Sequence, residues 1–428
     1  MWLRHLLFII MAITLLWISN VSAATINAAS ASRSDVQTAI NTAVSGDVVI
    51  VPAGFVTWTT AVSIPTGKKI TLQGSGMDAT VITGGDGWKA IDMTTSGSRV
   101  TGIGFISSAG VIQVDGDGWR IDQCRFYSDT FVVGVSVYGN RENNHPTGLI
   151  DSCIFHNMRI TVDGYVAGSL PTAHALWAQP LNLGSGDGVV YVENNTFTFT
   201  VFGNAIDANV GGRYVFRYNT LNDVYIEAHA TLYNDTGTRK WEIYNNTFTF
   251  GATVWVPFRL RGGTGVVFNN TLIGAWTLPN IVLDDRRSCE LTASGLCDGS
   301  SPWDGNMEGL SGYPCRGQIG RSTDQWLWTS TKPYPPQQLE PAYAWNNKFG
   351  AKDVTFFQFG CARSISHIQP GRDYFDNTVK PGYVPYTYPH PLRSVAETTA
   401  TTTPTTTTVT TPTTTTTNTT TKKRIWNR

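Results

Sequence analysis

The sequence predicts an all-β chain: a right-handed single-stranded parallel β-helix, or solenoid, closed at its start by a short N-terminal capping helix. Three observations predict it. A short x-Asn-x-Phe/Leu pattern recurs along the chain at the spacing of one coil. Charged residues make up only 14% of the 428, and glycine contributes 42; an ordinary soluble domain is roughly 25% charged. The chain is also longer than one compact globule normally is, a limit that repeat architectures escape because each repeat needs only its neighbours.

The repeat appears as ENNTF (Glu193–Phe197), RYNTL (Arg217–Leu221), YNNTF (Tyr244–Phe248), FNNTL (Phe268–Leu272) and WNNKF (Trp345–Phe349). Two earlier copies, DQCRF (Asp122–Phe126) and DSCIF (Asp151–Phe155), carry Cys at the key position. That position is therefore Cys124, Cys153, Asn195, Asn219, Asn246, Asn270 and Asn347, with successive differences of 29, 42, 24, 27, 24 and 77. Steps of 24 to 29 fit one coil of three short strands. The step of 42 reads as a coil with an inserted loop, and the step of 77 as one or two coils with a large insertion. Each Asn is expected at a turn, bonding its counterpart one rung away at ~4.8 Å. The Phe or Leu two residues later points into a stacked core. Glycosylation sequons fall at Asn194, Asn245 and Asn269, but sequons alone explain neither the following Phe/Leu nor the spacing.

In chain order, residues 1–23 read as a signal peptide. Arg4 and His5 precede the apolar run Leu6–Trp17, and Val21-Ser22-Ala23 offers a small-residue cleavage site. The run is shorter than the ~20 residues of a membrane anchor, and no later segment is apolar enough to span. The protein is expected to be secreted or at the cell surface, where cysteines can pair. Ser34–Val44 reads as an amphipathic helix with Ser34 as N-cap, and Gly46–Gly54 as the strand after it; together they would cover the exposed first rung. Ser34–Trp58 and the N-N-T-F rungs resemble the pectate-lyase-like superfamily of right-handed parallel β-helix proteins, over about Ala24–Leu392. The resemblance implies the fold. It leaves the activity open, because that superfamily holds polysaccharide lyases, glycoside hydrolases, pectin esterases, phage tailspikes and non-catalytic adhesins.

The β-helix domain is placed at 24–395, with large loop insertions at about 158–188 and 286–340, and a Thr-rich disordered tail at 396–428. The first insertion carries His174 and Trp177. The second carries Cys289, Cys297, Cys315, Trp303, Trp326 and Trp328. Disulfides among Cys289, Cys297, Cys315 and Cys361 would order it, in any of three connectivities. Cys124 and Cys153 read as stacked buried thiols.

The candidate site lies on the strands after the ladder positions: AIDANV (Ala205–Val210), YIEAHA (Tyr225–Ala230), PFRLRGG (Pro257–Gly263) and NIVLDDRR (Asn280–Arg287). Their alternate apolar residues face inward, so Asp207, Asn209, Glu227, His229, Arg259, Arg261 and Asp284 share one outer face. Such a face is often only a solvated sheet with weak ion pairs. The concentration of charge in a charge-poor chain raises the functional reading. Glu227, His229, Arg259, Arg261 and Lys240 are the candidate catalytic residues. Asp207, Asn209, Trp255 and Arg239 are candidate substrate contacts. Asp207, Glu227 and Asp284 are candidate ligands for a Ca²⁺ ion. The expected function is action on an extracellular polysaccharide, by a lyase using Arg to neutralise a uronate and His229 or Lys240 as base, or by a hydrolase using paired carboxylates. The alternative is a non-catalytic cell-surface or matrix adhesin that binds glycan. Zero formal net charge gives no global attraction for nucleic acid, and the expected state is a monomer.

Overall fold

The computed structural model describes residues 23–84, 89–139, 146–164, 179–230, 237–249, 253–284, 318–322, 338–359 and 368–394. Residues 1–22 of the expected signal peptide, the Thr-rich segment 396–428, His174, Trp177, Trp303, Trp326, Trp328 and the four cysteines Cys289, Cys297, Cys315 and Cys361 lie outside the described residues.

The described chain is a parallel β-helix with three faces. Face 1 is a 12-stranded sheet; faces 2 and 3 join into a 19-stranded sheet. The join is made by the long strands Arg125–Tyr138 and Ile154–Asp163, which run from face 2 onto face 3. Every strand pairing among the described residues is parallel, except two short ones: Arg321–Ser322 with Gln338–Leu339, and Lys348–Phe349 with Lys352–Asp353. Inward residues stack rung on rung. On face 1, Ile121, Ile150, Val192, Phe216 and Ile243 form one such column. On face 2, Phe105, Phe126, Phe155 and Phe197 do, with successive ring centroids 5.4, 4.6 and 4.7 Å apart.

The Asn ladder runs along the corner between faces 1 and 2. Asn195, Asn219, Asn246, Asn270 and Asn347 are all buried. The backbone N–H of each of the first four donates to the Oδ1 of the next, at 2.9, 2.9, 3.0 and 3.1 Å. The corner is a left-handed turn: the preceding residues Asn194, Tyr218, Asn245, Asn269 and Asn346 have φ between 53° and 57°. Asn tolerates that conformation better than most residues, which explains the first Asn of each N-N pair. The steps of 42 and 77 are both single rungs, since Cys153 bonds directly to Asn195 and Asn270 to Asn347. Cys124 and Cys153 hold the equivalent positions as buried free thiols, donating to the carbonyls of Asp122 and Asp151. Burial and the neighbouring Cys124 push the Cys153 thiol well up.

Helix α1 (Arg33–Thr42) precedes the first coil and buries Val36, Ala39 and Ile40. Its N-cap is Ser32, whose Oγ accepts from the Asp35 N–H at 3.2 Å. The sequence pointed to Ser34, but that residue already lies inside the helix. The insertion placed at about 158–188 also starts later than expected. Residues 158–163 continue a strand, with Met158, Ile160 and Val162 buried in regular alternation.

The outer surface of face 1 is covered by the segment 379–394. Tyr383, Tyr386 and Leu392 pack on Tyr191, Val215, Tyr244 and Phe268. Arg217, fully buried, donates to the carbonyls of Tyr386 and Thr387, each at 2.8 Å. Face 3 carries no such strap among the described residues.

Candidate functional site

Strand pairing brings the expected charges together. Ile206 pairs with Ile226, and Ile226 with Phe258, so Asp207, Glu227 and Arg259 follow one another in one outward column. The second column holds Asn209, His229, Arg261 and Asp284. His229 N–H donates to Ala208 O, and Arg261 N–H to Ala228 O, each at 2.9 Å. The side chains meet as the columns require. Arg261 Nη2 lies 2.5 Å from Glu227 Oε1 and 2.8 Å from His229 Nδ1. Asp207 Oδ2 lies 3.4 Å from the same His229 nitrogen and 3.5 Å from Arg159 Nη1. Arg259 Nη2 reaches Asp284 Oδ2 at 3.2 Å.

Exposure divides this cluster into two groups. The side chains of Asp207, Glu227 and Asp284 are 11%, 7% and 8% exposed, whereas Arg159, His229 and Arg259 are 26%, 27% and 27% exposed. The carboxylates are therefore shielded, and cations with one imidazole form the accessible surface. Glu227 is fully engaged: its Oε2 also accepts from Asn204 Nδ2 at 2.5 Å and from Tyr225 OH at 3.1 Å. Burial and then Glu227 push the Tyr225 hydroxyl up, so it stays a donor. Asp207 Oδ1, Arg159 Nε and Arg261 Nε are buried with no hydrogen-bond partner in the protein, and buried polar atoms of this kind are normally satisfied by water or ligand.

His229 is poised between two neighbours. Arg261 can only donate, so its contact with Nδ1 selects the tautomer with the proton on Nε2. Asp207 favours the opposite tautomer, with Nδ1–H facing the carboxylate and a free lone pair on Nε2. With Arg261 drawn away, the Asp207 contact would favour the tautomer that carries its free lone pair on Nε2.

Three expectations fail here. Lys240 is not in the cluster. It sits on face 1, buried, with Nζ 2.9 Å from Glu242 Oε1 and donating to Asn182 O at 2.7 Å. Burial pulls its ammonium down from the usual lysine range. Arg239 is also buried elsewhere, paired with Glu340 at 2.7 Å. Both were assigned by closeness in sequence, but the chain turns a corner at Thr238–Lys240 and leaves face 3. The calcium set does not form either. Each of Asp207, Glu227 and Asp284 is turned to an arginine on a neighbouring strand, and among the described residues no three His, Cys, Asp or Glu converge. Calcium takes six to eight oxygen ligands, which these residues do not supply. Trp255 is half-buried and packs on Phe359, centroids 5.4 Å apart; Phe359 lies two rungs past Arg261 in its column. Asn209 takes its expected place beside His229.

Sequence reasoning missed Arg159, Asn204 and Tyr225. Arg159 was hidden because its strand was assigned to an insertion, although Arg159, Thr161 and Asp163 already alternate with Met158, Ile160 and Val162. Asn204 lies just before the segment Ala205–Val210, and Tyr225 opens the segment Tyr225–Ala230; both sit where the register shifts by one residue.

The chain matches no protein-family model and no curated protein. Among solved structures it is similar to an alginate lyase from Paenibacillus sp. str. FPU-7, at 15% identity over 61% of this chain and 93% of that one, TM-score 0.38. It is similar to a PL6-family alginate lyase at 15% identity over 78% and 53%, TM-score 0.35. A GH87 α-1,3-glucanase catalytic domain in complex with nigerose follows at 10% over 85% and 69%, TM-score 0.33. Likenesses this loose transfer no chemistry; the fold stands on the strand registers above.

Proposed function

We propose that the chain is a secreted carbohydrate-active enzyme that cleaves an extracellular acidic polysaccharide by a lyase reaction, with the face 3 cluster as its active site. The observation that carries this reading is the exposure pattern: shielded carboxylates beneath accessible Arg159, His229 and Arg259. A hydrolase needs two carboxyl groups that reach the glycosidic bond and a water, and here all three carboxylates are turned to arginines. A lyase needs positive charge at the substrate carboxylate and a base for the adjacent proton. In the proposed reaction the substrate carboxylate binds Arg259 and draws on Arg261. His229, released by Arg261 and oriented by Asp207, takes the proton from the carbon next to that carboxylate. The electron pair forms the new carbon–carbon double bond, and the glycosidic oxygen leaves with the C–O bonding pair and takes a proton from water or from the His229 imidazolium. Helix α1 is proposed to seal the first coil, and residues 1–23 to direct export.

The test is to incubate the mature chain with pectins, alginates and neutral glycans, with and without Ca²⁺, reading unsaturated products by absorbance and reducing ends chemically. Unsaturated ends from a uronate polymer, lost in Arg259→Ala and in His229→Ala, support the reading. Reducing ends without unsaturation point to hydrolysis and overturn it. The second reading is a glycan-binding surface protein without catalysis. It is favoured by the full neutralisation of the carboxylates by arginine, and binding to the same polymers without any product selects it.

A further inference from the structure

Two phenylalanines border the cluster at the corner where face 2 turns into face 3. Phe202 is 52% and Phe131 37% exposed. A large exposed apolar side chain carries information when it sits beside a charged site rather than alone. Each is tied to the cluster by a direct contact. The guanidinium of Arg159 lies over the Phe131 ring, 5.2 Å from its centroid, and Arg159 in turn reaches Asp207. The Phe202 ring lies 5.4 Å from that of Tyr225, whose hydroxyl donates to Glu227. The corner is shaped for these rings. Phe131 also packs on Phe199, centroids 6.0 Å apart, and a Cβ at Gly203 would come within 2.5 Å of the Phe131 ring. Small size at position 203 therefore lets the ring lie against the backbone of the corner.

We infer that Phe131 and Phe202 form a sugar-stacking subsite beside the reacting bond, with Arg159 as its polar anchor. The apolar face of a pyranose ring packs on an aromatic ring, and its polar edge is left for the neighbouring donor. Phe131 holds the Arg159 head at the wall while Phe202 offers the open ring, so the occupant is one sugar unit carrying a carboxylate or hydroxyl toward Arg159. The subsite sets which sugar sits next to the cleaved bond. It takes no part in proton transfer. This rests on the cluster being the active site.

The experiment compares wild type, Phe202→Ala, Phe131→Ala and Arg259→Ala on whichever polymer the panel shows to be cleaved, with thermal melts as a folding control. If the subsite is real, Phe202→Ala raises KM about tenfold with kcat changed less than twofold. Phe131→Ala does the same and also weakens discrimination between acidic and neutral oligosaccharides, because Arg159 loses its support. Unchanged KM in Phe202→Ala, with wild type active and both melts alike, overturns the inference while leaving the active site standing. No product and no binding from wild type on any polymer overturns the functional reading and the subsite with it. Should Phe131→Ala fail to fold, Phe202→Ala alone decides, because that half-exposed ring lies outside the buried core.

Discussion

At the scale of single residues, the ladder asparagines stabilise the corner in a way no other side chain reproduces. Asn246 Oδ1 accepts from both the backbone and the side-chain amide of Asn219, at 2.9 and 3.1 Å. Its Nδ2 donates to Phe216 O and to Asn270 Oδ1, each at 2.9 Å. Asn246→Ala leaves the buried Asn219 N–H without its acceptor and takes one bond from Phe216 O. A buried group left unsatisfied usually costs about 1–3 kcal/mol, and a loss in that range is expected in urea unfolding. Asn246→Asp keeps the acceptor but loses both donors and brings a carboxylate against Asn270 Oδ1 and Phe216 O. It should cost more at neutral pH than at pH 3, and equal losses at both would argue against the ladder as drawn. The ladder was legible because one residue type recurs at one period. The face 3 cluster was legible for the same reason, since two-residue alternation fixes which side chains share a face. Lys240 and Arg239 were misplaced because alternation gives inside or outside but not which of three faces. Arg159 was lost to a boundary drawn six residues too early.

At the scale of elements, the strap 379–394 had no signal in the sequence. Its proline- and tyrosine-rich stretch has neither a two-residue nor a helical period, because it lies across the coils as irregular chain, with a turn at Lys380–Tyr383 and a short 3₁₀ helix at Pro391–Arg393, rather than within a sheet. What holds it is a set of groups supplied by distant rungs. Tyr383 OH donates to Glu242 Oε2 at 2.6 Å, and His390 N–H to Glu193 Oε1 at 3.0 Å. The His390 ring packs on Tyr191, centroids 4.6 Å apart, and its Nδ1 accepts from Leu392 N–H at 3.2 Å. Burial, then the charges of Arg217 and Arg120, lower its pKa from 6.5 to about 4. In the unfolded chain this imidazole takes a proton near pH 6.5, while the folded chain resists until about pH 4. Between those values the unfolded state binds more protons, so stability is full above pH 6.5 and is lost as pH falls toward 4. At about 1.4 kcal/mol per unit of pKa the loss from this group is at most roughly 3.5 kcal/mol, and screening by nearby solvent reduces it. His390→Asn keeps an acceptor for Leu392 N–H and removes the titration. Its stability should fall less than that of wild type between pH 6.5 and 4. An unchanged slope would place the acid sensitivity elsewhere.

At the scale of the whole molecule, the strap adds coupling that a solenoid otherwise lacks. Coils interact with their nearest neighbours, so stability is close to a sum of local terms and unfolding can begin at one end. The strap departs from that rule. Arg217 reaches carbonyls 169 and 170 positions away in sequence, and Arg393 lies 3.4 Å from Asp151 and 3.6 Å from Glu193. One segment thus touches strands of successive coils and ties them to a common event. Removing it would expose Tyr191, Val215, Tyr244 and Phe268, each contributing about 1.5–3 kcal/mol through burial, and would take two carbonyl acceptors from Arg217 and the Tyr383 donor from Glu242. The Thr-rich tail that follows has a composition unable to bury such surface. Three chains separate these roles: 24–428, 24–394 and 24–377. In scanning calorimetry the first two should melt together, within about a degree. The third should melt several degrees lower and over a wider range, as the coils unfold less cooperatively. A sharp, unshifted melt of 24–377 would mean that face 1 is stable without its cover and that coupling runs through the coils alone. A drop already at 24–394 would mean that the tail packs.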